Sequence, residues 1–356
     1  MSTKLNIGVL QLSMEPAGET VAMAKACEDA GFDTFWIAEA YPWWRKHGFE
    51  ARSSTAILAV IAAQTRRIQL GWGIISPYTR HPVQIAMEAR VMQDLASERF
   101  LLGLGASKIF MKEIGEGNGE KAGPATVMRE SIEIIKGVLR GNVFEYKGKV
   151  FTASVPPLKL DAYTPRGIPP IYIAATGPVL QKMSGEIGDG LLTASITTPE
   201  FVRYSRKNME EGACRAKKDP SRLVLGSVIV GSISRTAAKA KEGAREQAAM
   251  YLANKVQNIA ASADVLLQCA GLTFDELRPI ADAMESGGRK AAAKLVADEI
   301  LHKVCPIAGI PDECIAQIEQ YRAAGCTHIM LEIWGDDRIG QAKLFGEAVL
   351  PHFHPK

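Results

Sequence analysis

The sequence predicts a parallel (β/α)8 TIM barrel with insertions, an α/β fold, and three observations lead there. Short apolar runs alternate with helix-like segments along the whole chain. The runs are nearly continuously apolar instead of alternating in polarity, which suits strands covered on both faces. Eight of them can be marked, the number that closes a barrel.

Leu5–Leu12 (LNIGVLQL) reads as the first strand, and Ala17–Ala30 follows with helical spacing until Gly31 stops it. Thr34–Glu39 is β-branched and aromatic, the second strand, and Thr55–Arg66 is an alanine-rich helix. Ile68–Ser76 and Phe100–Ala106 are the third and fourth strands, separated by a helix from about His81 to Ala96. Ile171–Ala175, Gly190–Ala194, Leu223–Ile233 and His328–Trp334 complete the set. Two segments break the rhythm. Asn142–Pro170 is proline-rich and carries VFEYKGKVF, which reads as a small hairpin. From about Arg245 to Cys305 the chain is alanine-rich and helical, longer than one barrel helix requires. Both read as excursions from one domain spanning residues 1–356, since neither is flanked by linkers on both sides. A doubly wound sheet is the alternative, but its first βα turn would carry a glycine-rich nucleotide motif, and LSMEPAGET has none.

Composition narrows the function. The chain has 356 residues, 47% hydrophobic and 23% charged, within the range of a soluble globular protein. A net charge of +3, spread among acids along the helices, argues against nucleic acid or an anionic membrane as partner. No apolar run approaches the roughly 20 residues that span a bilayer. The six cysteines form no CxxC pair and fit reduced thiols, so a cytoplasmic location is expected. No GxSxG, HExxH or Walker pattern occurs and the six histidines are scattered, so no metal site is expected. Such poverty of catalytic side chains fits an enzyme whose chemistry comes from an organic cofactor.

In a barrel the active site lies in the loops after the strands. After strand two comes Glu39-Ala-Tyr-Pro-Trp-Trp-Arg45, where Trp44 either walls a planar ligand or packs on the rim. After strand three, Gly73 precedes Ile74, and glycine permits close approach to a flat ring or simply a turn. Arg80 and His81 there can bind an anion, and Arg80 can equally cap the rim. Gly103-Leu-Gly-Ala-Ser-Lys108 lacks the third glycine of a dinucleotide loop, yet it presents Ser107 and Lys108 to a polar ligand. After strand five, Ala174-Ala-Thr-Gly-Pro-Val179 opens a helix near Pro178. Small residues before a helix N-terminus make the best phosphate cradle in the chain, the alternative being a Thr-capped helix. For proton transfer the strand-end candidates are Glu39, Lys108, Tyr78 and Glu332, although a carboxylate such as Glu332 inside a strand more often pairs with an arginine.

The segments GFDTFWIAE, GWGIISPYTRHP, FLLGLGAS and IYIAATGPVLQKMSGEIGDGLL together resemble the luciferase-like monooxygenase superfamily. Within it they are most similar to coenzyme F420-dependent oxidoreductases of the methylenetetrahydromethanopterin reductase kind. The resemblance covers most of the barrel and is weakest from about Arg245 to Cys305. It implies a cis peptide at Gly73–Ile74 behind a deazaflavin ring, an acidic site residue at Glu39 and an active-site tryptophan at Trp44. Ala106, Ser107 and Lys108 would line the ring and ribityl chain, and Ala175, Thr176, Gly177, Pro178 and Val179 would hold the phosphate. Two positions depart from the pattern. Ala40 stands where many relatives carry histidine, and Lys108 stands where the F420-dependent sugar-phosphate dehydrogenase has glutamate. The expected function is hydride transfer between F420 and a small organic substrate, with Glu39, Trp44 and Lys108 as the catalytic set, in a homodimer such as relatives often form. The rival readings are an FMN-dependent monooxygenase and a non-catalytic flavin-binding protein.

Overall fold

The computed structural model describes residues 5–39, 50–106, 122–157, 167–257 and 263–354. All eight sequence-predicted strands are present, each within two residues of its expected ends: β1 (Asn6–Leu12), β2 (Thr34–Ala38), β3 (Gln69–Ile75), β4 (Phe100–Gly105), β7 (Ile171–Ala174), β8 (Gly190–Thr193), β9 (Val224–Ile233) and β11 (His328–Ile333). Their parallel pairings run β9–β11–β1–β2–β3–β4–β7–β8 and return to β9, which closes the barrel. The outer helices include α1 (Ala17–Ala30), α2 (Ser54–Gln64), α3 (Pro82–Ala96), α4 (Pro124–Leu139), α5 (Pro178–Ile187) and α6 (Pro199–Arg215). Gly31 ends α1 in the left-handed conformation at φ 89° and donates back to Cys27 and Glu28, the conformation only glycine adopts cheaply.

Side chains separate into two layers because strand residues alternate between faces. Ile7, Val9, Phe35, Ile37, Leu70 and Leu102 point outward into the helix layer. Leu10, Leu12, Trp36, Leu101, Tyr172, Leu192 and Met330 fill the barrel. At the N-terminal floor Trp36 is fully buried, meets Tyr172 edge-on at 5.7 Å and donates its indole N–H to Thr34 Oγ1 at 3.0 Å. The Thr34 hydroxyl also meets His328 Nε2 at 2.8 Å. These buried contacts plug the floor of the barrel among the described residues.

Two details differ from expectation. The hairpin forms from β5 (Phe144–Lys147) and β6 (Thr152–Val155), later than VFEYKGKVF suggests. The reason is Glu130 on α4: its carboxylate accepts the backbone N–H groups of Lys149, Val150 and Phe151 at 2.7–3.0 Å, so those residues form the turn. A short strand, β10 (Ile307–Gly309), was not expected, being too short for periodicity to reveal. It pairs with the upper end of β9, Gly231–Ile233, whereas the lower end, Val224–Ser227, pairs with β8. The helical excursion comprises α7 (Ala237–Gln257), α8 (Ala263–Cys269), α9 (Phe274–Ala293) and α10 (Asp298–Lys303). It packs its own small core, in which Ala248, Leu252, Leu267, Leu277, Ile280 and Leu301 are buried. After β10 the chain returns through α11 (Pro311–Ala323) to β11, and α12 (Arg338–Ala348) and α13 (Leu350–Phe353) close it.

Candidate functional site

At the C-terminal mouth the loops after β2 and β3 are joined by charge. Arg80 grips Glu39 with two guanidinium nitrogens, Nη2–Oε1 at 2.8 Å and Nη1–Oε2 at 3.3 Å. Both side chains are nearly buried, at 11% and 5% exposure, so the pair is shielded from solvent and its fork geometry is held. Arg80 Nε also lies 3.8 Å from Glu88 Oε1 on α3. Burial pushes the Glu88 carboxyl above its ordinary value; Arg80 pulls it back and the Glu39 charge pushes it further up. Arg80 is thus engaged by two carboxylates at the rim. His81 is likewise committed: Nδ1 accepts the Val83 N–H at the start of α3, at 3.2 Å, and Nε2 faces the Thr152 carbonyl at 3.2 Å. The remaining hydrogen thus sits on Nε2.

The end of β3 carries the clearest local geometry. The Gly73–Ile74 peptide is cis, as the resemblance implies. The Ile74 carbonyl accepts the Glu39 N–H at 3.3 Å, and the half-buried Ile74 side chain lies over β4. A side chain at Gly105 would place its Cβ 2.8 Å from Ile74 Cδ1, and one at Gly103 would meet the Trp72 carbonyl oxygen at 2.0 Å. The glycines of FLLGLGAS therefore make room for β3 and Ile74. Ser76 ties the next loop by donating to the Ala106 carbonyl at 3.1 Å while accepting the Tyr78 N–H at 3.3 Å. Burial raises the Tyr78 phenol further above its ordinary value.

After β7, helix α5 begins at Pro178 with Gly177 as its N-cap and no side chain capping it. The Thr-capped alternative is thereby corrected: Thr176 lies one residue too early to cap. The turn is shaped from beneath by Gln181, whose amide donates to the carbonyls of Thr176 and Ala175 at 3.2 and 3.4 Å and to Ser205 Oγ at 3.0 Å. Asn208 in turn donates to the Gln181 oxygen at 2.9 Å. Small residues (Ala174, Ala175, Gly177) thus sit before an uncapped helix start, where N–H groups and the helix dipole favour an anion.

Across the mouth, Glu332 on β11 is buried and accepts three hydrogen bonds: from Gln247 Nε2 at 2.6 Å, from Tyr251 Oη, and from Trp334 Nε1 at 3.0 Å. These donors are an amide, a phenol and an indole, where an arginine is the more usual partner. Arg289 and Arg338 instead lie over the Trp334 ring, 4.7 and 4.3 Å from its centre. Burial pushes the Glu332 carboxyl up to about 6, and Tyr251, Trp334 and the two guanidiniums hold it from rising further. Sequence reasoning missed Gln247, Tyr251 and Trp334. Only the i, i+4 spacing of Gln247 and Tyr251 on α7 hinted that they share a face.

The structure thus brings Glu39, Gly73, Ile74, Ala106, Ala175, Thr176, Gly177 and Pro178 to strand ends around one mouth, with Val179 exposed beside it. Trp44, Ser107, Lys108 and Ala40 lie outside the described residues. Among the described residues no group of histidine, cysteine and carboxylate side chains could hold a metal ion, and no helix is long and apolar enough to cross a membrane.

The family model for luciferase-like monooxygenases matches residues 2–328. The chain belongs to this family. It is 30% identical to the 5,10-methylenetetrahydromethanopterin reductase of Archaeoglobus fulgidus, over 92% of this chain and 93% of that one. It is 28% identical to the F420-dependent glucose-6-phosphate dehydrogenase of Amycolatopsis mediterranei, over 94% and 93% of the two chains. The solved coenzyme F420-dependent tetrahydromethanopterin reductase of Methanopyrus kandleri superposes with a TM-score of 0.87 at 27% identity, covering 98% of this chain and 99% of that chain. These luciferase-like relatives follow the barrel from end to end, the helical excursion included.

Proposed function

We propose that this chain is an F420-dependent oxidoreductase that transfers a hydride between the deazaflavin and a small organic substrate. The observation that carries the reading is the pairing of a half-buried Ile74 shelf with an uncapped α5 start across the same mouth. A flat apolar ring and an anionic tail need those two features. Relatives of similar length whose names specify F420 support it.

The residues present fit such a group. Ile74 and Ala106, with Ser107 beyond, would line the ring, and Ala175, Thr176, Gly177, Pro178 and Val179 would hold the phosphate. When bound, F420 supplies the hydride chemistry. The protein binds, orients and excludes water. Glu39, held by Arg80, would face the ring with its carboxylate, and Trp44 and Lys108 would complete the catalytic set, Trp44 on the substrate side. With the floor plugged, the cofactor would enter from the C-terminal mouth. We read residues 1–356 as one domain, located in the cytoplasm, where its six free thiols stay reduced. We also read it as a homodimer. Met87, Val91 and Leu95 form an exposed apolar stripe at i, i+4 and i+8 on α3, the helix packed beside α2, which itself exposes Val60, and a second copy would cover it.

The test is cofactor titration. F420 fluorescence should be quenched on binding to the purified protein, whereas FMN should bind at least tenfold more weakly. Gly177→Leu should weaken F420 binding at least tenfold while shifting the melting temperature by only a few degrees. Unchanged affinity in that variant removes the phosphate assignment, and a preference for FMN moves the chain to the monooxygenase reading.

A further inference from the structure

The side of the mouth opposite the cofactor cradle is built from elements far apart in the chain. Glu332 stands at the C-terminal end of β11, and its side chain points into the barrel on the same face as Met330. Its carboxylate is held by α7 through Gln247 and Tyr251 and by the strand end through Trp334. The Trp334 ring is flanked by Arg289 from α9 and by Arg338 from the start of α12. Arg338 is paired in turn with Glu15 from the loop after β1. Arg289 also feels Glu246 on α7. Two carboxylates (Glu15 and Glu332) and two guanidiniums therefore bridge the loop after β1, the end of β11 and two helices of the excursion. Trp334 borders a cleft of about 1200 Å³ that opens between α7 and α12.

We propose that Glu332 is a positioning residue for the substrate: its carboxylate fixes the Tyr251 phenol and the Trp334 indole, and with them α7, as the wall against which the substrate is oriented. This rests on the reading of the mouth as a hydride-transfer site. The chemistry of the donors supports an ionised carboxylate. Tyr251 stays protonated because burial and the Glu332 charge both push its phenol up, so it donates, as do the indole and the amide. An acceptor-only group satisfied by three donors from three directions defines all their positions at once. Protonating it removes the negative charge that all three donors share and weakens every one of those bonds. The charged and titratable groups facing Glu332 are Tyr251 on α7, Arg289 on α9 and Arg338 at the start of α12, with Glu15 and Glu246 behind the guanidiniums.

The experiment uses the full chain labelled with 5-fluorotryptophan, the Trp334 fluorine resonance being assigned with Trp334→Phe. In the wild type this resonance should shift with a midpoint near pH 6, and in Glu332→Gln it should not titrate there. In parallel, F420 affinity should stay within twofold in Glu332→Gln and Tyr251→Phe. With reduced F420 and methylenetetrahydromethanopterin as the probe acceptor, KM should rise about tenfold and kcat should change less. A Trp334 resonance that does not titrate, or that titrates equally in Glu332→Gln, overturns the proposal. So does an unchanged KM, or a loss confined to F420 binding. If Glu332→Gln does not fold, Tyr251→Phe carries the KM arm and the wild-type titration still decides. Absence of F420 binding in the wild type would sink the hydride-transfer reading, while the fluorine titration would still decide whether Glu332 governs Trp334.

Discussion

Ile74 occupies the space that a side chain at position 105 would need: a Cβ on Gly105 would stand 2.8 Å from both Ile74 Cδ1 and Ile74 Cγ1. The shelf at the end of β3 and the bare backbone of β4 are thus one fitted pair. Gly105→Val should displace Ile74 from the mouth. Overpacking of this kind typically costs about 1–3 kcal/mol, so the barrel should survive. F420 affinity should fall at least tenfold, measured by fluorescence quenching alongside a melting curve. Intact affinity would separate Ile74 from cofactor support.

Arg80 stands between two acids, Glu39 and Glu88, and one oxygen of Glu88 is already buried without a partner. Removing the cation leaves Glu39 buried and uncompensated, which for a broken buried pair costs about 3–5 kcal/mol. Arg80→Ala should therefore be strongly destabilised, and Glu39→Gln in the same background should recover much of the loss. Denaturant unfolding of the two single variants and the double variant checks this. Equal stability of Arg80→Ala and the wild type would mean the pair is not shielded as described.

Acid should weaken the floor of the barrel. Burial lowers the His328 imidazole to about 4 from its ordinary 6.5, with Asp33 opposing the fall. A depressed folded-state value means the unfolded chain binds the proton first. This contribution is complete above pH 6.5 and is lost as pH falls towards 4, a gap of about 3 kcal/mol. Glu332 acts in the opposite sense: raised from 4.5 to about 6, it returns roughly 2 kcal/mol as pH falls through that window. Subtracting a His328→Asn variant from the wild type cancels the groups that do not sense His328. The stability difference between the two should change by about 3 kcal/mol from pH 7 to pH 4, and a constant difference would refute a neutral buried His328.

The stripe of Met87, Val91 and Leu95 on α3 should be covered in solution. Introducing Met87→Glu together with Val91→Glu places charge on residues that are 64% and 50% exposed, so the fold itself should be unaffected. Light scattering after size exclusion should then report a monomer where the wild type reports a dimer. A dimer that persists would put the interface elsewhere.

Strands were legible because a strand buried on both faces announces itself as an apolar run, and each of the eight does so within its own few residues. The site was legible only where a local rule applied. Gly177 and Pro178 before a helix form such a rule, and so does the glycine pair of β4, although its reason lay across the sheet in Ile74. Contacts between distant residues left no trace in the chain. Arg80 meets Glu39 across 41 positions, and Tyr251 meets Glu332 across 81. Nothing in either local pattern specifies the partner. Glu130, which sets the hairpin turn from α4, was invisible for the same reason.

β9 is spliced between two neighbours, β8 along its lower residues and β10 along its upper ones. The barrel is therefore sealed below the level at which the helical excursion departs and returns. The closure of the cylinder thus rests on β8 and β9 and owes nothing to the length of chain that lies between β9 and β10.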